Sequence, residues 1–69
     1  MEWRVFSERL KELRKESKLT AMQLGRAIGV SDAAVIRWEQ GLRIPGIDSL
    51  YKIAKYFNVS PAYLIGFED

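Results

Sequence analysis

Arg37 carries a planar fork of hydrogen-bond donors and sits four residues after Ala33, next to Ile36 and three residues before Gln40, in a segment opened by Ser31 and Asp32. At about 100° per residue, Ala33, Ile36, Arg37 and Gln40 share one helical face, and Ala34, Val35 and Trp38 share the opposite one. The first face offers a guanidinium, an amide and two apolar side chains, with the Asp32 carboxylate on its flank and the Ser31 hydroxyl at its leading end. That set can donate, accept and make apolar contact, which is the chemistry of recognition rather than of bond-breaking. The chain has no His and no Cys, so the commonest acid-base group is missing and a zinc site of the usual Cys/His type cannot be built. No enzyme activity, cofactor, metal or small-molecule ligand is expected.

A helix bearing such a face needs a start, a stop and something to pack on. Ser31 is a start signal and Gly41 a stop. Immediately before them, Thr20 with Gln23 three residues on predicts a capping box, and Gly29 a left-handed stop. Residues 20–41 therefore read as two short helices joined by one tight turn, the outline of a helix-turn-helix. Leu24, Ala27 and Ile28 form the apolar stripe of the first helix, Val30 sits in the turn, and Gly25 lies where the two helices would approach closely. An ordinary corner between two packed helices would share these features.

The rest of the chain predicts three more helices and no strand. Trp3, Phe6, Leu10 and Leu13 make a core stripe in a first helix from Trp3 to about Ser17. After a loop through Pro45, a fourth helix runs from Ile47 to about Phe57 with Leu50, Ile53, Ala54 and Phe57 inward and Asn58 as its stop. Ser60-Pro61 opens a short fifth helix that ends at Gly66. The expectation is an all-α fold forming one domain over residues 1–69. A chain of 69 residues buries only about 60% of its unfolded surface, so stability must come from well-formed helix packing. No apolar run is long enough to span a bilayer and no signal peptide is evident, so a soluble cytoplasmic protein is expected.

Net charge is only +2, from 11 Lys plus Arg against 9 Asp plus Glu, so distribution matters more than the sum. Arg4, Arg9, Lys11, Arg14, Lys15 and Lys18 are interleaved with Glu2, Glu8, Glu12 and Glu16 at helical spacings, which reads as a solvated, self-paired face. Arg26, Arg37 and Arg43 have fewer acidic neighbours and are the better candidates for a basic surface.

Leu19-Thr20, Leu24, Gly29-Val30-Ser31, Val35, Trp38-Glu39, Gly41, Pro45, Leu50, Ile53-Ala54 and Val59-Ser60 fall in the order and spacing of the phage repressor and Cro family of helix-turn-helix proteins, also called the XRE family. The resemblance covers roughly Val5 to Gly66. It implies a lambda-repressor-like five-helix domain that binds double-stranded DNA, with Ser31 to Gln40 as the recognition helix in the major groove. Ser31, Asp32, Ala33, Ile36 and Arg37 are then the candidate base readers. Arg37 can pair with guanine O6 and N7, worth roughly 1–3 kcal/mol of discrimination, or contact a phosphate instead. Asp32 can accept from cytosine N4 or stabilise the helix N-terminus through the dipole. Ala33 and Ile36 offer apolar contact to a thymine methyl.

Thr20, Ala21 and Gln23 at the first helix start, with Arg26, Gln40 and Arg43, are the candidate phosphate contacts. Many relatives place a glutamine at the position of Ala21, so one phosphate clamp is absent here. The resemblance also implies an ion pair between Arg14 and Glu39 that ties the first helix to the recognition helix. It implies a homodimer on a palindromic operator, with Tyr63, Ile65 and Phe67 as candidate contacts in a weak interface that forms on DNA. The reading is a transcriptional regulator acting as a repressor. A protein-interaction module of the same fold, such as an antitoxin or complex subunit, is the alternative.

Overall fold

A computed structural model describes residues 3–69, and Glu2 of the interleaved charge run lies outside them. The described residues form five helices and no strand: α1 (Trp3–Glu16), α2 (Ala21–Ile28), α3 (Asp32–Glu39), α4 (Ile47–Phe57) and α5 (Pro61–Leu64). Each boundary lies within about a residue or two of its sequence expectation, the usual ambiguity of helix ends. Among the described residues, no helix is long and apolar enough to cross a membrane.

All five helices end in the same way. The residue past the end takes a left-handed conformation and the next amide folds back to a carbonyl five residues earlier, which satisfies orphan acceptors of the last turn. The left-handed residues are Lys18, Gly29, Gly41, Asn58 and Gly66. The returning bonds are Leu19 N to Arg14 O, Val30 N to Gly25 O, Leu42 N to Arg37 O, Val59 N to Ala54 O and Phe67 N to Ala62 O. Glycine or asparagine announces four of these stops in the sequence. Lys18, at φ 58°, does not, because there the clash of an ordinary Cβ with the backbone is tolerated, not avoided.

The core draws on every helix: Phe6 and Leu10 from α1, Leu24 and Ile28 from α2, Val35 and Trp38 from α3, Leu50, Ile53 and Ala54 from α4, and Leu64 from α5. Trp3 packs at its edge with its ring 5.7 Å from that of Phe6, in a T-shaped arrangement. Ala27 departs from its expected place in the α2 stripe: it is exposed and lines a cleft shared with α4. The self-paired face expected on α1 also does not form around its lysines. Lys11, Lys15 and Lys18 make no ion pair among the described residues, as exposed pairs gain little over hydration.

Candidate nucleic-acid interface

The α2–turn–α3 unit is set by side chains that spend their polar groups on backbone. The Thr20 hydroxyl accepts from the Gln23 amide at 3.1 Å while the Gln23 carbonyl oxygen accepts from the Thr20 amide at 2.9 Å. This completes the capping box and changes the phosphate site expected there. Of the amides over Thr20 to Gln23, those of Thr20 and Gln23 are taken, which leaves Ala21 and Met22 without a partner among the described residues. The Gln23 side chain keeps only its NH₂ group for an outside ligand.

Gly25 explains how tightly the unit closes. A Cβ there would stand 2.7 Å from the Val30 carbonyl oxygen and 3.2 Å from Ser31 backbone atoms. No side chain fits, so α2 rests directly on the backbone of the turn that launches α3. At that launch the Ser31 hydroxyl accepts from the Ala34 amide at 3.1 Å, and Asp32 accepts from the Ala33 amide at 2.9 Å through one carboxylate oxygen. Asp32 thus stabilises the first turn of α3 and has its second oxygen free.

The outer face of α3 is open. Ile36 is 42% exposed, Arg37 and Gln40 are exposed, and Ala33 is half-buried, while Val35 and Trp38 on the other face are in the core. Arg43 is exposed in the loop that follows. These residues leave one contiguous stretch, from the start of α3 into the loop after it, without a covering element among the described residues.

From behind, α1 grips the C-terminal half of α3 in two places. Arg14 makes a forked pair with Glu39, Nε to Oε2 at 2.6 Å and Nη2 to Oε1 at 2.9 Å, and its remaining Nη1 donates to the Leu19 carbonyl at 2.8 Å. The pair is mostly buried, 16% and 8% exposed at the two side chains. Hydrogen bonding to Glu39 raises the Arg14 pKa above its ordinary value, with burial opposing it. The second grip is Ser7, a buried hydroxyl whose oxygen lies 2.6 Å from the Trp38 carbonyl, which accepts from it. Ser7 carries no signal in the sequence, because its partner is 31 residues away.

The structure divides the remaining candidates. Arg26 stands apart from α3, in the cleft with Lys52 and Lys55 of α4. Of the three proposed dimer contacts, Tyr63 and Ile65 are half-buried against the core and Phe67 is 68% exposed. Tyr63 is also held by Arg9, whose guanidinium lies 4.2 Å from its ring centroid and donates to the Tyr63 and Glu68 carbonyls. Sequence reasoning missed a larger apolar set: Leu42, Ile44, Ile47 and Tyr51 are each 60% exposed or more, in the loop after α3 and the first turns of α4. Their spacing hides them, since Ile47 and Tyr51 look like one more buried stripe.

Comparison with known proteins places this geometry. The chain is 38% identical over 64 residues to the HTH-type transcriptional activator BcrR of Enterococcus faecalis, a match covering 93% of this chain and 31% of that protein. It is 32% identical over 65 residues to repressor protein C2 of Salmonella phage P22, covering 94% of this chain and 30% of the repressor. The chain thus spans about a third of the length of these two relatives. Among solved structures, the P22 c2 repressor in complex with a synthetic operator superposes with a TM-score of 0.86 at 32% identity, covering 91% of this chain and 96% of that one. The LexA SOS-response repressor of Eubacterium rectale gives 0.88 at 32% identity, over 99% of this chain and 70% of that one. With the helix-turn-helix family model matched across residues 10–64 as well, the chain belongs to the helix-turn-helix family of phage repressors and related transcriptional regulators.

Proposed function

We propose that this chain binds double-stranded DNA in a sequence-specific way, with α3 in the major groove, and regulates transcription in the cytoplasm as a repressor without catalysing a reaction. The observation that carries this reading is the open outer face of α3, held rigidly from behind by the Arg14–Glu39 and Ser7–Trp38 contacts. The superposition on an operator-bound repressor supports it.

Within this reading Arg37 and Ile36 read base edges, Ala33 and Ser31 lie at the groove floor and rim, and Asp32 uses its free oxygen to accept from cytosine and repel phosphate. Phosphates meet the free amides of Ala21 and Met22 at the start of α2, aided by Thr20 and the Gln23 NH₂, with Gln40 and Arg43 at the other end. Arg26, drawn into the cleft with α4, is left out of the DNA-facing set. Two copies occupy a palindromic site, and Leu42, Ile44, Ile47 and Tyr51 join Phe67 as the exposed apolar groups able to meet across the two-fold axis.

Selection from a pool of random duplexes at two salt concentrations tests the proposal. The expected result is a palindrome with half-sites about one helical turn apart and binding that falls steeply with salt. The apolar set from Leu42 to Tyr51 is the specific observation behind a second reading, a module that binds another polypeptide. Failure of the folded protein to retain any duplex above background would favour that reading and reject the first.

A further inference from the structure

We infer that the cleft between the C-terminal halves of α2 and α4 docks an acidic peptide segment that also carries a large apolar side chain, supplied by a partner protein. The cleft is open to solvent, with a volume of about 520 Å³, within the roughly 300–1,000 Å³ usual for binding clefts. Arg26, Lys52 and Lys55 line it and no carboxylate does. None of these cations has an ion-pair partner among the described residues, although Asp48 stands one turn before Lys52 on the same helix. Three like charges around one concavity repel each other and concentrate anions, so an acidic ligand relieves an unfavourable field as it binds.

Between the cations the surface is apolar, built from Ala27, Ile28 and the half-exposed ring of Tyr56. Ala27 is exposed although the spacing of α2 assigns it to the core stripe, which leaves a shallow floor where a larger residue would fill the cleft. A ligand that matches both features needs carboxylates flanking an apolar side chain, which is the pattern of an amphipathic acidic peptide.

Duplex DNA fits this cleft poorly. It offers phosphates but nothing for the apolar floor. No α3 residue lines the cleft, so a docked peptide and a DNA duplex need not compete. The inference therefore stands independently of the DNA-binding proposal.

The test is a titration of ¹⁵N-labelled protein with a synthetic peptide of about twelve residues, a Leu-Phe pair flanked by glutamates, followed by two-dimensional NMR. A control peptide has Ser-Ser in place of Leu-Phe. Resonances of Arg26 to Gly29 and Lys52 to Tyr56 are expected to shift with the first peptide. The control should bind about tenfold more weakly, equivalent to roughly 1.4 kcal/mol. The double variant R26E/K55E changes two exposed side chains, so its folding can be checked in the same spectra, and it should lose the peptide response while keeping its preference for the selected duplex over random sequence. Absence of shifts at millimolar peptide would overturn the inference. So would shifts scattered over the surface, equal binding of the two peptides, an undiminished response in R26E/K55E, or displacement of the peptide by duplex DNA.

Discussion

Arg37 and Arg43 are both exposed arginines, and the proposed docking on DNA gives them different work. Arg37 stands on the outer face of α3, where its fork can meet a guanine edge. Arg43 lies in the loop beyond, where only a phosphate is within reach of the proposed docking. R37A should therefore cost roughly 1–3 kcal/mol on the preferred site and little on unrelated duplexes, flattening the preference at one position. R43A should weaken all duplexes alike and lower the slope of log affinity against log salt by about 1. Competition binding at two salt concentrations separates the two, and an interchange of the two patterns would sink the proposed docking.

Arg14 and Glu39 act on the same face from behind. Because the pair is mostly buried, R14M or E39M alone strands a charge and should cost about 3 kcal/mol, while the double variant should cost much less than the sum. Urea unfolding of the four proteins gives the coupling energy directly, and a value near zero would mean that the pair does not hold α3.

At the scale of the helix, the sequence was most readable where structure is local. Thr20 and Gln23 lie three residues apart and close their capping box with no help from the rest of the fold. Glycine or asparagine past the ends of α2, α3, α4 and α5 likewise marks a backbone geometry by residue type alone. The reading failed where the reason for a residue lies on another element. Ser7 is fixed by the end of α3, Arg9 by one carbonyl within α5 and one after it, and Ala27 by its place in the cleft shared with α4. Arg14–Glu39 was legible only through the family resemblance, since nothing local separates Arg14 from its neighbouring cations.

The helix ends themselves make a matched set of predictions. Lys18 holds the left-handed position after α1 against its own Cβ, so K18G should raise stability by about 1 kcal/mol. Gly29 has open space around it but a φ of 79°, so G29A should lose about 1 kcal/mol through backbone strain alone. Gly25 has ordinary helical geometry but no room, its Cβ falling 2.7 Å from a carbonyl oxygen that cannot rotate away. G25A must push α3 off α2 and should cost more than G29A, about 2–3 kcal/mol. Denaturant unfolding gives all three, and a smaller loss for G25A than for G29A would show that the turn yields more easily than its geometry implies.

The size of the folded unit constrains how two copies of it would meet on DNA in the proposed arrangement. Its principal extents are 27 × 24 × 21 Å, whereas recognition helices one turn apart on a duplex are separated by about 34 Å. Two such bodies can touch only through side chains near the two-fold axis, so the interface must be small. An interface of that kind supplies little affinity in solution and becomes effective when DNA holds the partners at high local concentration. The protein should therefore sediment as a monomer at micromolar concentration and bind a full palindrome cooperatively. Inserting about 5 base pairs between half-sites rotates one copy half a turn around the duplex and should abolish the cooperativity while leaving half-site affinity intact.

The surface responsible can be found by placing a charge in each exposed apolar group. Y51R should remove cooperativity if the strip from Leu42 to Tyr51 meets its counterpart, and F67R should do so if the C-terminal segment does. Half-site affinity should survive in both variants, because neither residue belongs to the outer face of α3. Cooperativity that persists through both substitutions and through the spacer would mean that the copies do not touch, and that the palindrome is read by two independent monomers.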